Sequence, residues 1–200
     1  MKLKPFALAV AYFVVFIVIA HFFVPPTYAW TQNTISDLAS QGHIFKWIMQ
    51  AGFIGFGLIL TWGVLHYFNQ HRNAYFLLLV ALYGLSILMS GIFCTNSLDP
   101  SYPNSLSESW LHSIFATTAG VGLSLAIGWQ GFASPGKLER RNHLLFLLLV
   151  MGFSSMFGLA ENGSILLEKG IVQRLLYLIG LAWLIYQEQL FVKDFSSKRD

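Results

Sequence analysis

Charge is scarce in this chain. Only 10% of its 200 residues are Asp, Glu, Lys or Arg, while 56% are hydrophobic; ordinary soluble domains carry about 25% charged residues. A soluble protein of this size has too little polar surface to cover so much apolar material. Thiols are scarcer still. Cys94 is the one cysteine, which excludes an internal disulfide, a Cys-x-x-Cys redox pair and a zinc site of several thiolates. The chain has no internal repeat, no P-loop, no dinucleotide fingerprint and no nucleophile elbow. It also lacks a basic face. Its net charge of +3 comes from residues scattered over connecting segments, which excludes nucleic acid as a partner.

Long apolar runs are what the chain does have. Six of them approach the roughly 20 residues a helix needs to cross the hydrocarbon layer: 6–24, 45–68, 75–93, 111–133, 143–160 and 170–191. None alternates apolar with polar residues, so a barrel is a poor alternative. The start, Met1-Lys2-Leu3-Lys4, is basic like a signal peptide. The apolar run behind it is longer than the roughly 7–15 residues of a signal-peptide core. It reads as a retained first helix. The expectation is an all-α membrane bundle of six spans, one domain over residues 1–200.

Orientation follows from the bases. Of the 12 Lys and Arg residues, Lys2, Lys4, Arg72, Lys137, Arg140, Arg141, Lys193, Lys198 and Arg199 fall on one side if both termini are cytoplasmic, as the positive-inside rule demands. Lys46, Lys169 and Arg174 fall on the other. The implied location is a cell membrane, with short inner links (69–74 and 134–142) and longer outer ones (25–44 and 94–110). On the fourth run Ala116, Gly120, Ser124 and Gly128 recur every four residues, a stripe that suits close helix contact within the bundle or between copies in a homo-oligomer. Gly52, Gly55 and Gly57 suggest a second close approach.

The outer ends collect the ionisable residues. Asn33-Thr34-Ile35-Ser36-Asp37-Leu38 has the Thr-x-x-acid spacing of a capping box. Its plain reading is the start of a short helix before the second span. Its functional reading makes Asp37 a base, with Ser36 beside it. Asp99-Pro100 is a turn signal and also an acid at a membrane edge. Ser105 and Glu108 repeat the capping spacing, and Glu108 and His112 share a helix face. His112 sits where a base or proton carrier would be partly desolvated. Asn162-Gly163 reads as a helix stop. Arg174 opens the last helix on the side poor in bases, opposed by the helix dipole. An ion pair with Glu161, Asp37 or Asp99 would explain its position, as would snorkelling to lipid phosphates. Metal ligation would draw on His21, His43 and His112 with Asp37 or Asp99, and haem on His21 with His112. No His-x-x-x-His spacing supports either, so no cofactor is assigned.

These residues resemble the bacterial and archaeal membrane family called domain of unknown function 998. The likeness rests on Asn33-Thr34-Ile35-Ser36-Asp37-Leu38, Gly52-Phe53, Gly91-Ile92-Phe93 leading to Asp99, His112, and Gly170-Ile171-Val172-Gln173-Arg174. It covers nearly the whole chain. It implies a six-span domain and marks Ser36, Asp37, Asp99, His112 and Arg174 as the positions to watch; it implies no reaction. Gln173 departs from that family's pattern, where an acid often precedes the arginine.

Three functions compete. An enzyme acting on a lipid or lipid-linked headgroup would use Asp37, Asp99 and His112 for acid–base work, with Ser36, Glu161 and Arg174 binding the ligand. A transporter would need polar residues down a path, and Ser86, Ser90, Ser154 and Ser155 are mild. A structural partner would use the rim charges only as caps. Membrane lipids are the expected partners, and the first reading ranks highest.

Overall fold

The computed structural model describes residues 4–70 and 73–197, with side chains to residue 193. Lys2, Arg72, Lys198 and Arg199 of the charge argument lie outside the described residues. Six α-helices follow one another: α1 (Pro5–His21), α2 (Lys46–Phe68), α3 (Ala74–Ile92), α4 (Leu106–Ala133), α5 (Lys137–Glu161) and α6 (Lys169–Ser197). A single 3-10 turn, Ser36–Ala39, precedes α2. By length and composition α2 to α6 can each cross a membrane, and α1 is apolar but shorter at 17 residues. Chain neighbours pack on one another, and α6 closes back against α1. The connections α1–α2, α3–α4 and α5–α6 gather at one end, here termed the rim. The links α2–α3 and α4–α5 form the base.

The first helix stops earlier than its apolar run. Expected to residue 24, it ends at His21. Phe22 N and Phe23 N fall back to the carbonyls of Ile19 and Ala20, three residues behind. Pro25 and Pro26 then supply no N–H and force the chain to extend. The fourth and fifth helices err the other way. They begin at Leu106 and Lys137, ahead of their apolar runs, because polar helix ends project beyond any hydrocarbon core.

Lipid tails are as apolar as leucine, so burial drives little association, and close backbone packing matters more. The glycines of α2 provide it. A methyl on Gly57 would run into the Gly84 carbonyl oxygen of α3 and lie 2.6 Å from Leu88 Cβ. One on Gly52 would lie 2.8 Å from Phe16 Cβ of α1, and one on Gly55 would strike the Tyr12 ring. The expected close approach of α2 is therefore present. Around it, Phe13 of α1 meets Phe53, Phe56 and Tyr177 at ring separations of 5.4, 5.0 and 5.4 Å.

The stripe on α4 behaves differently. Gly128 and Gly131 near the base approach Leu147 and Leu144 of α5, at 3.7 and 3.1 Å for an added methyl. Gly120, nearer the rim, has nothing within 4 Å, and neither have Gly152 and Gly158 on α5. The two helices touch at the base and splay toward the rim. The tight contact expected inside the bundle at Ala116, Gly120 and Ser124 is replaced by open space. The paired prediction is direct. Gly57→Ala should cost about 1–3 kcal/mol through overpacking, whereas Gly120→Ala, whose methyl meets nothing, should be neutral or gain up to about 1 kcal/mol. Thermal melts in detergent would check it; equal losses would contradict the splay.

Candidate functional site

The splay of α4 from α5 opens a cavity of about 1610 Å³. That exceeds the roughly 300–1,000 Å³ of ordinary small-molecule pockets. Its rim part is polar, with Asn33, Ser36, Asp37, Ser109, His112 and Glu161 in the wall. Toward the base the wall turns apolar, with Leu79, Val121, Leu125, Trp129, Phe132 and Leu147. Val121, Leu125 and Phe132 stay exposed, so the cavity is open along the bundle side.

Each polar group is placed by a local rule. Thr34 and Asp37 form the expected reciprocal cap. Thr34 N donates to Asp37 Oδ2 at 2.8 Å, and Asp37 N donates to Thr34 Oγ1 at 3.1 Å. The 3-10 turn they start carries Ser36 inward, where Gln173 of α6 holds it. Ile35 N donates to Gln173 Oε1 at 2.7 Å, and Gln173 Nε2 donates to Ser36 Oγ at 3.5 Å.

His112 answers a backbone requirement of α3. A helix leaves its last four carbonyls without intrahelical partners. Here Met89 O accepts from Phe93 N at 3.3 Å. Gly91 O and Ile92 O accept from Gln50 Nε2 at 3.2 and 3.5 Å. Ser90 O, along with Phe93 O beyond the helix, accepts from His112 Nδ1 at 2.8 and 3.0 Å. Two carbonyl acceptors require a proton on Nδ1. The neutral ring then carries its lone pair on Nε2, for which no hydrogen bond is found among the described residues. A buried histidine in the cavity wall, with one nitrogen anchored and the other free to accept, has the orientation a base needs.

The expected box at Ser105 does not form; its side chain makes no cap bond. Glu108 instead reaches across to α3's end, accepting from Cys94 N at 3.3 Å. The shared face of Glu108 and His112 is thus real, and both residues grip the end of α3. Asn162-Gly163 does stop α5. Gly163 takes φ +74°, Ser164 N bonds Leu159 O at 2.9 Å and Gly163 N bonds Ala160 O at 3.2 Å, the two bonds of a Schellman motif.

Arg174 corrects an expectation. It pairs with neither Glu161, Asp37 nor Asp99. Its Nη1 donates to Asn33 O at 2.9 Å and Gly170 O at 2.8 Å, and its Nη2 to His21 Nε2 at 3.1 Å and to the Tyr28 hydroxyl. Trp30 lies 5.6 Å from the guanidinium carbon. Uncharged oxygens and a ring nitrogen thus take up the donors of the fork without a carboxylate. Burial pushes the Tyr28 phenol up, against the pull of Arg174. Glu161 pairs with Lys169 instead, at 3.0 Å in a half-exposed position.

A family model described as "Protein of unknown function (DUF998)" matches residues 7–186. The chain belongs to that family. No curated protein and no solved structure matches it.

Of the six residues singled out from the sequence, Ser36, Asp37, His112 and Glu161 line one cavity in this DUF998 protein. Arg174 and Asp99 do not. Arg174 faces the α1–α2 connection. Asp99 is exposed in a turn, where the hydroxyl and then the amide of Ser101 hold its carboxyl below the usual carboxylate range. His21 is separated from His112 in role. Its Nδ1 meets Ile17 O at 2.7 Å and its Nε2 accepts from Arg174, so both nitrogens are occupied. No group of three or more His, Cys, Asp or Glu side chains able to hold a metal occurs among the described residues.

Sequence reasoning missed Gln173, Lys169 and Glu188. Gln173 was visible only as a departure from the family pattern. Glu188, on the apolar sixth run, offered no spacing signal at all. It is 1% exposed and accepts from Phe6 N, Ala7 N and the Tyr67 hydroxyl at 2.8, 2.8 and 2.7 Å.

Proposed function

We propose that this DUF998 protein takes one lipid or lipid-linked molecule from the outer half of the membrane into the α4–α5 cavity and acts on its headgroup. In this reading the protein has six spans with both termini cytoplasmic, and α1 crosses with the help of the apolar residues after His21. The rim then faces outward. The observation that carries the reading is the division of the cavity wall, polar at the rim and apolar toward the base. That division matches a molecule with a polar head and hydrocarbon chains. His112 Nε2 is the proton acceptor for a headgroup group, oriented by its Nδ1 bonds to α3. The open stripe of Gly120 and Ser124 is read as cavity wall in preference to a seam between copies.

Gly120→Phe tests this, since Gly120 lines the cavity and an added Cβ there meets nothing within 4 Å. Mass spectrometry of the purified protein should find a bound lipid in the parent and lose it in the variant, at an unchanged melting temperature. An unchanged lipid complement in Gly120→Phe would remove the reading. His112→Asn separates the two roles of that residue. An asparagine amide can still donate toward Ser90 O and Phe93 O, while the Nε2 acceptor is gone. Folding and lipid retention should persist, and any change that the parent protein makes to cellular lipid pools should fall at least a hundredfold, the usual scale of an acid–base group.

A further inference from the structure

The acceptors and charges of the cavity select a headgroup. We infer that the occupant carries a neutral, hydroxyl-bearing head, a glycerol or a sugar, with no phosphate. This inference rests on the lipid-binding reading above. Asp37 and Glu161 are the carboxylates in the wall, and Lys169 is its one Lys or Arg. Lys169 is already paired with Glu161 at 3.0 Å. Of the other rim cations, neither Arg174 nor Lys46 lines the cavity: Arg174 spends both its terminal nitrogens on Asn33 O, Gly170 O, His21 and Tyr28, and Lys46 Nζ reaches Cys94 Sγ at 3.5 Å. A phosphate would therefore meet an uncompensated carboxylate and no free cation. Like charges brought together at a binding surface cost several kcal/mol in general.

The hydrogen-bonding roles agree with the charges. In the neutral ring with its proton on Nδ1, His112 Nε2 accepts. Asp37 accepts only, and one of its oxygens is committed to Thr34 N. These groups require donors from the ligand. Hydroxyls supply them, whereas a phosphodiester offers oxygens that only accept. The serines of α4 and α5 and the amides of Asn33, Asn96 and Asn162 in the wall can each donate or accept and add no preference.

The test is binding of two lipids with identical acyl chains, a monoglycosyl diacylglycerol and a phosphatidylglycerol. Each is titrated into the protein in phosphatidylcholine nanodiscs and followed by native mass spectrometry. The glycolipid should bind about tenfold tighter or more, since tenfold corresponds to only a fraction of the general like-charge cost. Asp37→Asn keeps an oxygen for the Thr34 cap and removes the charge, so the preference should shrink toward parity. Equal or tighter binding of phosphatidylglycerol by the parent protein overturns the headgroup inference and leaves the cavity reading standing. A preference that survives Asp37→Asn undiminished also overturns it. Binding of both lipids that is indifferent to Gly120→Phe instead overturns the cavity reading itself.

Discussion

Glu188→Ala is expected to be the most damaging single substitution in the chain, lowering stability by about 3 kcal/mol or more. The reason is a complete account of α1's first four positions. Pro5 has no N–H. Phe6 N and Ala7 N donate to the two oxygens of Glu188, and Leu8 N donates to Lys4 O at 3.0 Å. A capping carboxylate normally comes from the same chain segment. Here it comes from α6, so one side chain both caps a helix and fastens the first helix to the last. Tyr67 of α2 gives the same carboxylate a third donor. Alanine would leave the Phe6 and Ala7 amides without their acceptor, each costing about 1–3 kcal/mol with incomplete additivity, and would remove one bond of the Tyr67 hydroxyl. Glu188→Gln keeps one acceptor but turns an NH2 toward another donor, so it should recover only part of the loss. For a chain of this length the alanine variant should melt roughly 6–12 °C lower. Tyr67→Phe should cost about 1 kcal/mol. A Glu188→Ala protein melting within a degree or two of the parent would refute the capping role.

Arg174→Lys should be nearly as harmful as Arg174→Ala, at about 2–4 kcal/mol. The guanidinium holds four acceptors with two terminal nitrogens. They belong to the end of α1, the α1–α2 connection and α6 itself. An ammonium is a compact charge on a flexible stem and cannot reproduce that fork. The connection it anchors also packs closely on α6, where Gly170 leaves no space for a side chain against the carbonyls of Trp30, Thr31 and Asn33. Losing the clamp should therefore loosen residues 22–35 before the helices. Limited proteolysis of the variants should cut there first and leave α2 to α6 intact. If lysine restored parental protection, the fork geometry would be irrelevant and a simple cation at position 174 would suffice. The two predictions are independent, since the clamp lies at the rim and Glu188 at the base.

Local features were legible in the residue order. The apolar runs gave the number of helices, and Thr34 with Asp37 gave the cap before α2, because both depend on residues close in sequence. Asn162-Gly163 gave the end of α5 for the same reason: a positive φ favours glycine wherever the rest of the chain goes. Glu108 and His112 were correctly placed on one face by their spacing. What they hold was not legible, since the carbonyls of α3 come within reach only when α3 and α4 pack. Ser105 marks the limit of the spacing rule, as its partner Glu108 found a better donor in another segment.

The site itself was decided by tertiary structure. Small residues every four positions specify a surface without a side-chain wall, and that surface can receive a helix or a ligand equally well. The glycines of α2 received a helix, while Gly120 of α4 received space because α5 leans away toward the rim. Arg174 shows the same division. Its sequence position demanded a partner, but only the folded connection could offer neutral acceptors in place of a carboxylate. The sequence by itself determined the helices, the cap before α2, the stop of α5 and a polar end to the bundle. The fold alone decided which polar groups face one another, because hydrogen bonds between distant segments depend on which helices pack together and how far they splay, and residue spacing does not record either.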